Sequence, residues 1–93
     1  MAEIVVAHES EAIREAIARL CADAGYAVRA VGEGRAALAA IDAAPAALVL
    51  DVALPGVHAY EIVEESKRRA PATRIVLVAS IYNRTGYKRR PTS

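Results

Sequence analysis

The chain has 93 residues, of which 55% are hydrophobic and 25% charged, and its formal net charge is +1. This balance excludes intrinsic disorder, which requires low hydrophobicity and a high net charge, and no apolar run approaches the roughly 20 residues that span a bilayer. No basic segment precedes an apolar stretch at the start, as in a secretory signal, and the single Cys21 cannot form an internal disulfide. We therefore expect one small soluble domain in the cytoplasm, with no membrane partner.

The chain opens with a strand and a helix. Residues 4–7 form a short apolar run rich in β-branched side chains, which is typical of a strand buried on both faces. Ser10 fits the N-cap position of a helix, and Gly25 stands where a helix end favours a residue with positive φ. Between them, apolar residues recur at three- and four-residue spacing and predict one apolar helical face. The members of this face are Ile13, Ala16, Ile17, Leu20, Cys21 and Ala24.

The rest of the chain repeats this alternation. The patterns predict strands at residues 26–31, 46–50 and 74–79 and helices at residues 35–44 and 58–69. Pro45 is expected to end the second helix, and the third helix is expected to be buried through Tyr60, Ile62 and Val63. Four strands joined by three helices predict an α/β fold with parallel strands and right-handed crossovers.

Chemically active side chains follow two of the strands. In an open parallel sheet, function lies in the crevice at the carboxyl ends of the strands. The first strand delivers His8 and Glu9 there, and the third runs directly into Asp51, so these residues converge if the two strands are neighbours. Mg²⁺ prefers oxygen ligands, which Glu9, Asp51 and the backbone carbonyl of Ala53 can supply. His8 is a weaker candidate that suits Mn²⁺ or Zn²⁺ better.

Three segments resemble the receiver (CheY-like) domain of two-component response regulators. They are Ile-Val-Val-Ala-His-Glu-Ser at 4–10, Leu-Val-Leu-Asp-Val-Ala-Leu-Pro-Gly at 48–56, and Tyr60-Glu61 at the opening of a helix. The resemblance implies a flavodoxin-like parallel sheet flanked by helices, in which Asp51 accepts a phosphoryl group from a histidine kinase. It also implies that an acidic pair after the first strand helps to hold Mg²⁺, and that a Thr or Ser ending the fourth strand contacts the phosphoryl oxygens.

The chain departs from this family pattern in three places. The acidic pair falls on His8 and Glu9, so its first member is a histidine. The Thr/Ser–Ala step appears in reverse order as Ala79-Ser80, which makes Ser80 the candidate phosphoryl contact. The fifth strand, its lysine and the fifth helix are missing, and Lys88 is no positional match. We therefore predict an incomplete receiver-like domain at residues 1–80, followed at 81–93 by a basic tail or the start of a fourth helix.

Two functions are compatible with these residues. The first is a phosphorelay receiver, not an enzyme, that accepts a phosphoryl group on Asp51 from a histidine kinase or phosphotransfer protein and passes the signal to a downstream protein or output domain. The alternative is a pseudo-receiver, a protein-interaction module without phosphoryl chemistry, which His8 and the missing lysine favour. In either case the fourth strand is a free apolar edge, which predicts that the chain self-associates or is a fragment of a longer polypeptide.

The end of the chain is basic. From Arg84 onward there are four basic residues and no acidic ones, with Tyr82 and Tyr87 close by. Such a stretch can contact phosphates or stack on bases. Because a charge run is more often a solvated segment, we do not expect a nucleic acid partner.

Overall fold

The computed structural model describes residues 2–79 and contains one parallel sheet with helices on both faces. Its strands are β1 (Glu3–Ala7), β2 (Ala27–Val31), β3 (Ala47–Asp51) and β4 (Arg74–Val78), in the order β2-β1-β3-β4. The helices are α1 (Glu11–Asp23), α2 (Gly34–Ile41) and α3 (Ala59–Arg69). This confirms the predicted α/β class with four parallel strands and three helices. The predictions for residues 80–93, including Ser80, lie outside the described residues.

The centre of the sheet is the pair β1 and β3. Val5 and Val6 of β1 are completely buried, on opposite faces of the sheet, as the β-branched run predicts. β1 is parallel to β3 with Ala7 opposite Leu50. The next residues of both strands therefore leave the sheet at the same edge and side by side.

Within residues 2–79, one face of the sheet carries a single helix, α1. The Ser10 hydroxyl caps this helix by accepting a hydrogen bond from the backbone N–H of Ile13 at 3.3 Å, and Gly25 has a φ of 98°, as predicted for both residues. The predicted apolar face is only partly covered, because α1 packs over β1 and β2 and leaves the rest of the sheet open. No residue of α1 is fully buried, and Leu20 is 71% exposed.

The other face holds the main core beneath α2 and α3. Its side chains are small and aliphatic, which lets both helices approach the sheet closely; they include Val5, Ala7, Ala37, Ala40, Ile41, Leu48, Leu50, Ala59 and Ile62. Burial of Tyr60 in this core was a wrong prediction. The buried positions of α3 are Ala59, Ile62 and Ser66, so Tyr60 lies on another side of the helix, is 76% exposed, and stacks on the ring of His58.

The end of α2 also differs from its prediction. The helix stops at Ile41, three residues before the predicted end at Ala44. Ala44 adopts a φ of 50°, in the left-handed region, and its N–H donates to the carbonyl of Ile41 at 2.8 Å. The chain therefore turns before it reaches Pro45. No helix within residues 2–79 has the length and apolarity to cross a membrane.

The loop after β3 is held against the start of α2. The N–H of Gly34 donates to the carbonyl of Pro55 at 2.8 Å. A Cβ at Gly34 would overlap the backbone nitrogen of Val57 and lie 2.9 Å from its Cα. Only glycine permits this approach, which fixes the loop that follows Asp51.

Gly34→Ala should therefore destabilise the fold. The added methyl group meets backbone that must move, so we expect a loss of about 2 kcal/mol in the free energy of unfolding, measured by urea denaturation. Gly32→Ala is the matched control, because its Cβ would meet mainly the flexible end of Arg14. Equal stability losses in the two variants would contradict the role assigned to the Gly34–Val57 contact.

Candidate functional site

The candidate site lies where β1 and β3 end. Asp51 is the last residue of β3, and His8 follows the last residue of β1. Both are nearly inaccessible, with Asp51 2% and His8 5% exposed. The strand order thus brings together two of the side chains that the sequence pattern placed at this edge.

The Asp51 carboxylate is held by backbone donors. Its Oδ1 accepts a hydrogen bond from the N–H of Ala53 at 3.0 Å, and its Oδ2 lies 3.5 Å from the backbone nitrogen of Glu9. These donors belong to the loops after β3 and β1 respectively. The carboxylate therefore joins the two loops, and its negative charge is met mainly by peptide dipoles.

His8 contacts this carboxylate without forming an ion pair. Its Nδ1 accepts a hydrogen bond from the backbone N–H of Ser10 at 3.0 Å and lies 3.7 Å from Oδ2 of Asp51. Because Nδ1 is the acceptor, the neutral imidazole carries its proton on Nε2, and the 3.7 Å contact is proximity rather than charge pairing. Nε2 is buried and has no hydrogen-bond partner in the described part of the chain.

Glu9 takes part through its backbone, while its side chain is exposed. The sequence pattern had brought all three side chains together, but burial is limited to His8 and Asp51. Reasoning from the sequence missed Arg14, whose Nη1 donates to the carbonyl of His8 at 2.8 Å. A basic residue near the start of a helix opposes the helix dipole, and that unfavourable position was the available signal.

The donor set fits a weak site for a hard divalent cation. Asp51 is a buried carboxylate, and among the described residues His8 alone lies within ion-pair distance of it; such a group is stabilised by a cation. Glu9 and the carbonyl of Ala53 are the neighbouring oxygen donors that could complete the site. Within residues 2–79 no group of three or more His, Cys, Asp or Glu side chains is arranged to hold a metal. Waters would have to provide the remaining ligands, as they usually do for Mg²⁺.

A parallel α/β sheet with a buried aspartate at the end of its third strand defines a receiver-type signalling domain. The family model described as the response regulator receiver domain matches residues 4–90. The chain belongs to this family, whose members act in two-component signalling and are generally signalling modules without enzymatic turnover. Members of the family typically bind Mg²⁺ at the phosphorylation site.

Individual relatives agree with this assignment. The chain is 31% identical over 78 residues to the transcriptional regulatory protein TcrA of Mycobacterium tuberculosis; this covers 83% of the chain but only 31% of TcrA, so the chain spans about a third of that relative. A CheY-like receiver domain protein from Methanospirillum hungatei superposes with a TM-score of 0.81 at 19% identity, covering 91% of this chain and 69% of the other. The chemotaxis protein CheY4 of Vibrio cholerae gives a TM-score of 0.77 at 25% identity, with 95% and 76% covered.

One similar solved structure contains a modified residue and bound small molecules. It is a response regulator from Burkholderia pseudomallei with a phosphorylated aspartic acid, a calcium ion and citrate. The TM-score is 0.79 at 20% identity, covering 91% of this chain and 51% of the other. At 20% identity, this likeness shows a shared fold and nothing more.

Replacing His8 should change the affinity for Mg²⁺. His8→Asp adds a carboxylate beside Asp51 and removes a neutral nitrogen, so we expect Mg²⁺ to bind at least about tenfold more tightly, a gain of about 1.4 kcal/mol. Isothermal titration with MgCl₂ measures this affinity.

His58→Asp is the matched control. It makes the same change of charge at an exposed N-cap, where aspartate is a favourable residue. The predicted role of position 8 would be disproved if both variants gained equally, or if His8→Asp gained nothing while remaining folded.

Proposed function

We propose that this chain is a cytoplasmic phosphorelay receiver that accepts a phosphoryl group on Asp51 from a histidine kinase or a phosphotransfer protein. The observation that carries the proposal is the Asp51 carboxylate, which is anchored by backbone N–H groups at the carboxyl edge of the sheet. In the transfer, a carboxylate oxygen forms a bond to phosphorus as the bond between phosphorus and the donor's histidine nitrogen breaks. The released imidazole nitrogen then takes up a proton.

The surrounding residues have distinct proposed roles. The N–H groups of Ala53 and Glu9 orient the carboxylate, one oxygen of which acts as the nucleophile. Glu9, Asp51 and the Ala53 carbonyl are the proposed ligands of Mg²⁺, which supplies positive charge to the phosphoryl oxygens when it is bound. His8 is a minor candidate ligand, and Ser80, outside the described residues, is the proposed hydroxyl contact to the phosphoryl group.

Phosphorylation would act through local charge. It replaces the single negative charge of the carboxylate with a phosphoryl group that carries about two, a net gain of about one, at a position that already depends on two loops for its donors. We propose that these loops rearrange and that a downstream protein or an output domain recognises the change.

A second function follows from His8. The neutral imidazole occupies the position of the first family acid and leaves the site with one carboxylate fewer. A domain that retains the fold without the chemistry would be a pseudo-receiver, which binds partners independently of phosphorylation.

Intact mass spectrometry separates the two functions. After incubation with Mg²⁺ and acetyl phosphate, the wild-type chain should gain one phosphoryl group, and Asp51→Asn should gain none because its amide is not a nucleophile. The absence of an adduct on a folded wild-type sample would reject the phosphoacceptor function and support the pseudo-receiver. An adduct on both proteins would place the reaction elsewhere in the chain.

We also propose that β4 is a self-association edge. It is one of the two edge strands of the sheet within the described residues, and its side chains Val76 and Leu77 are 50% and 57% exposed. Exposed apolar edge strands without Lys or Pro are templates for pairing with another chain, so the proposed partner is the β4 of a second copy.

Light scattering tests this edge pairing. The wild-type chain should be a dimer at high micromolar concentration, and Val76→Lys should be a monomer because a lysine blocks edge pairing. Leu20→Lys, which changes an exposed leucine on α1, should remain a dimer. A folded wild-type monomer at that concentration would eliminate the proposal.

A further inference from the structure

Three polar backbone groups of the loop between β1 and α1 have side-chain partners. The carbonyl of His8 accepts from Arg14 at 2.8 Å, the backbone nitrogen of Glu9 lies 3.5 Å from Oδ2 of Asp51, and the N–H of Ser10 donates to the His8 ring at 3.0 Å. The first two groups belong to one peptide unit. Because a peptide is planar and trans, fixing its carbonyl also fixes the direction of its N–H.

We infer that Arg14 is a positioning residue for the Asp51 site. Its guanidinium holds the carbonyl of His8, and the rigid His8–Glu9 peptide thereby directs the N–H of Glu9 toward the Asp51 carboxylate. One part of this inference, the effect of Arg14 on the rate of phosphorylation, rests on the proposed phosphoacceptor function. The positioning itself is a property of the unphosphorylated domain.

Two physical effects make this peptide depend on Arg14. The 3.5 Å separation between the Glu9 nitrogen and Oδ2 is long for a hydrogen bond, so a small rotation of the peptide would remove it. A charged donor on the carbonyl also polarises the amide and strengthens its N–H as a donor. Losing the guanidinium therefore weakens both the direction and the strength of the contact with Asp51.

The space for the guanidinium is provided by Gly32. A Cβ at this position would lie 2.8 Å from Nη1 of Arg14 and 4.0 Å from the carbonyl oxygen of His8. Gly32 lies in the short link between β2 and α2. The Arg14 guanidinium therefore packs between that link and the β1–α1 loop. Gly32→Ala displaces the end of a flexible side chain and not the backbone, so it perturbs Arg14 without altering α1.

The experiment follows the backbone amide of Glu9 in two-dimensional NMR spectra of the unphosphorylated chain. Arg14→Met should shift this resonance and reduce its protection from hydrogen exchange by about tenfold, as expected for loss of a charged hydrogen bond. Gly32→Ala should shift it in the same direction, and Arg14→Lys should restore part of the protection. Arg19→Met, at an exposed position of the same helix, is the matched control and should leave the resonance unchanged.

A double-mutant cycle distinguishes positioning from a general loosening of the loop. The effect of Arg14→Met on the Glu9 amide should shrink when Asp51 is already replaced by Asn, because the acceptor whose contact it directs is altered. Equal effects in both backgrounds would overturn the inference. An unchanged Glu9 amide in folded Arg14→Met would also overturn it.

Phosphorylation kinetics supply the last readout. If the wild type takes up a phosphoryl group from acetyl phosphate, Arg14→Met should do so about tenfold more slowly, because the carboxylate loses one of the two donors that fix its orientation, while Arg19→Met keeps the wild-type rate. An unchanged rate together with a shifted Glu9 amide would overturn the kinetic consequence. If the wild type accepts no phosphoryl group, the proposed function fails, and the Glu9 amide still decides the role of Arg14.

Discussion

The burial of the Asp51 carboxylate is the constraint on which the site depends. A charged group removed from water requires compensating donors or a cation, because the cost of an unpaired buried charge is large. Here the donors are backbone N–H groups from the loops after β1 and β3, and a neutral imidazole covers the remaining side. The carboxylate therefore links the two loops by accepting a hydrogen bond from each.

This arrangement requires β1 and β3 to be neighbours, and the packing of the domain provides that. The α2–α3 face is closed by small side chains such as Ala37, Ala40 and Ala59, so both helices lie close to the central strands. On the other face, the structure between residues 2 and 79 has α1, which packs on β1 and β2. Stability thus comes mainly from one face, while the residues beside Asp51, including His8 and Arg14, belong to the less densely covered side of the sheet.

The features that could be predicted from the sequence are those that depend on local pattern. The run at 4–7, the strand leading into Asp51, the Ser10 cap and Gly25 each follow from burial periodicity or from backbone preference, and the structure has all of them. Tyr60 was placed on the wrong side of α3 because hydrophobicity alone does not set the phase of a helix whose apolar residues are few. Arg14 was missed because its partner is a carbonyl, which has no sequence signature, so the unfavourable position of a basic residue near the start of α1 was the one available signal. Likewise, no pattern shows whether a strand-end carboxylate such as that of Glu9 turns inward or toward solvent.

A histidine at position 8 changes the charge of the site and leaves its geometry intact. The position of Asp51 relies on N–H groups of Glu9 and Ala53, which any residue other than proline would supply, so the fold tolerates the loss of the first acid. The affinity for a cation, in contrast, falls when the first acid is lost, because it depends on the number of negatively charged ligands. The likeness in backbone to a structure with a phosphorylated aspartate therefore carries no information about phosphoryl chemistry at this site. We propose that reaction at Asp51 depends on positive charge at the phosphoryl oxygens and on a firmly oriented carboxylate, and that Arg14, through its hydrogen bond to the His8 carbonyl, contributes to that orientation.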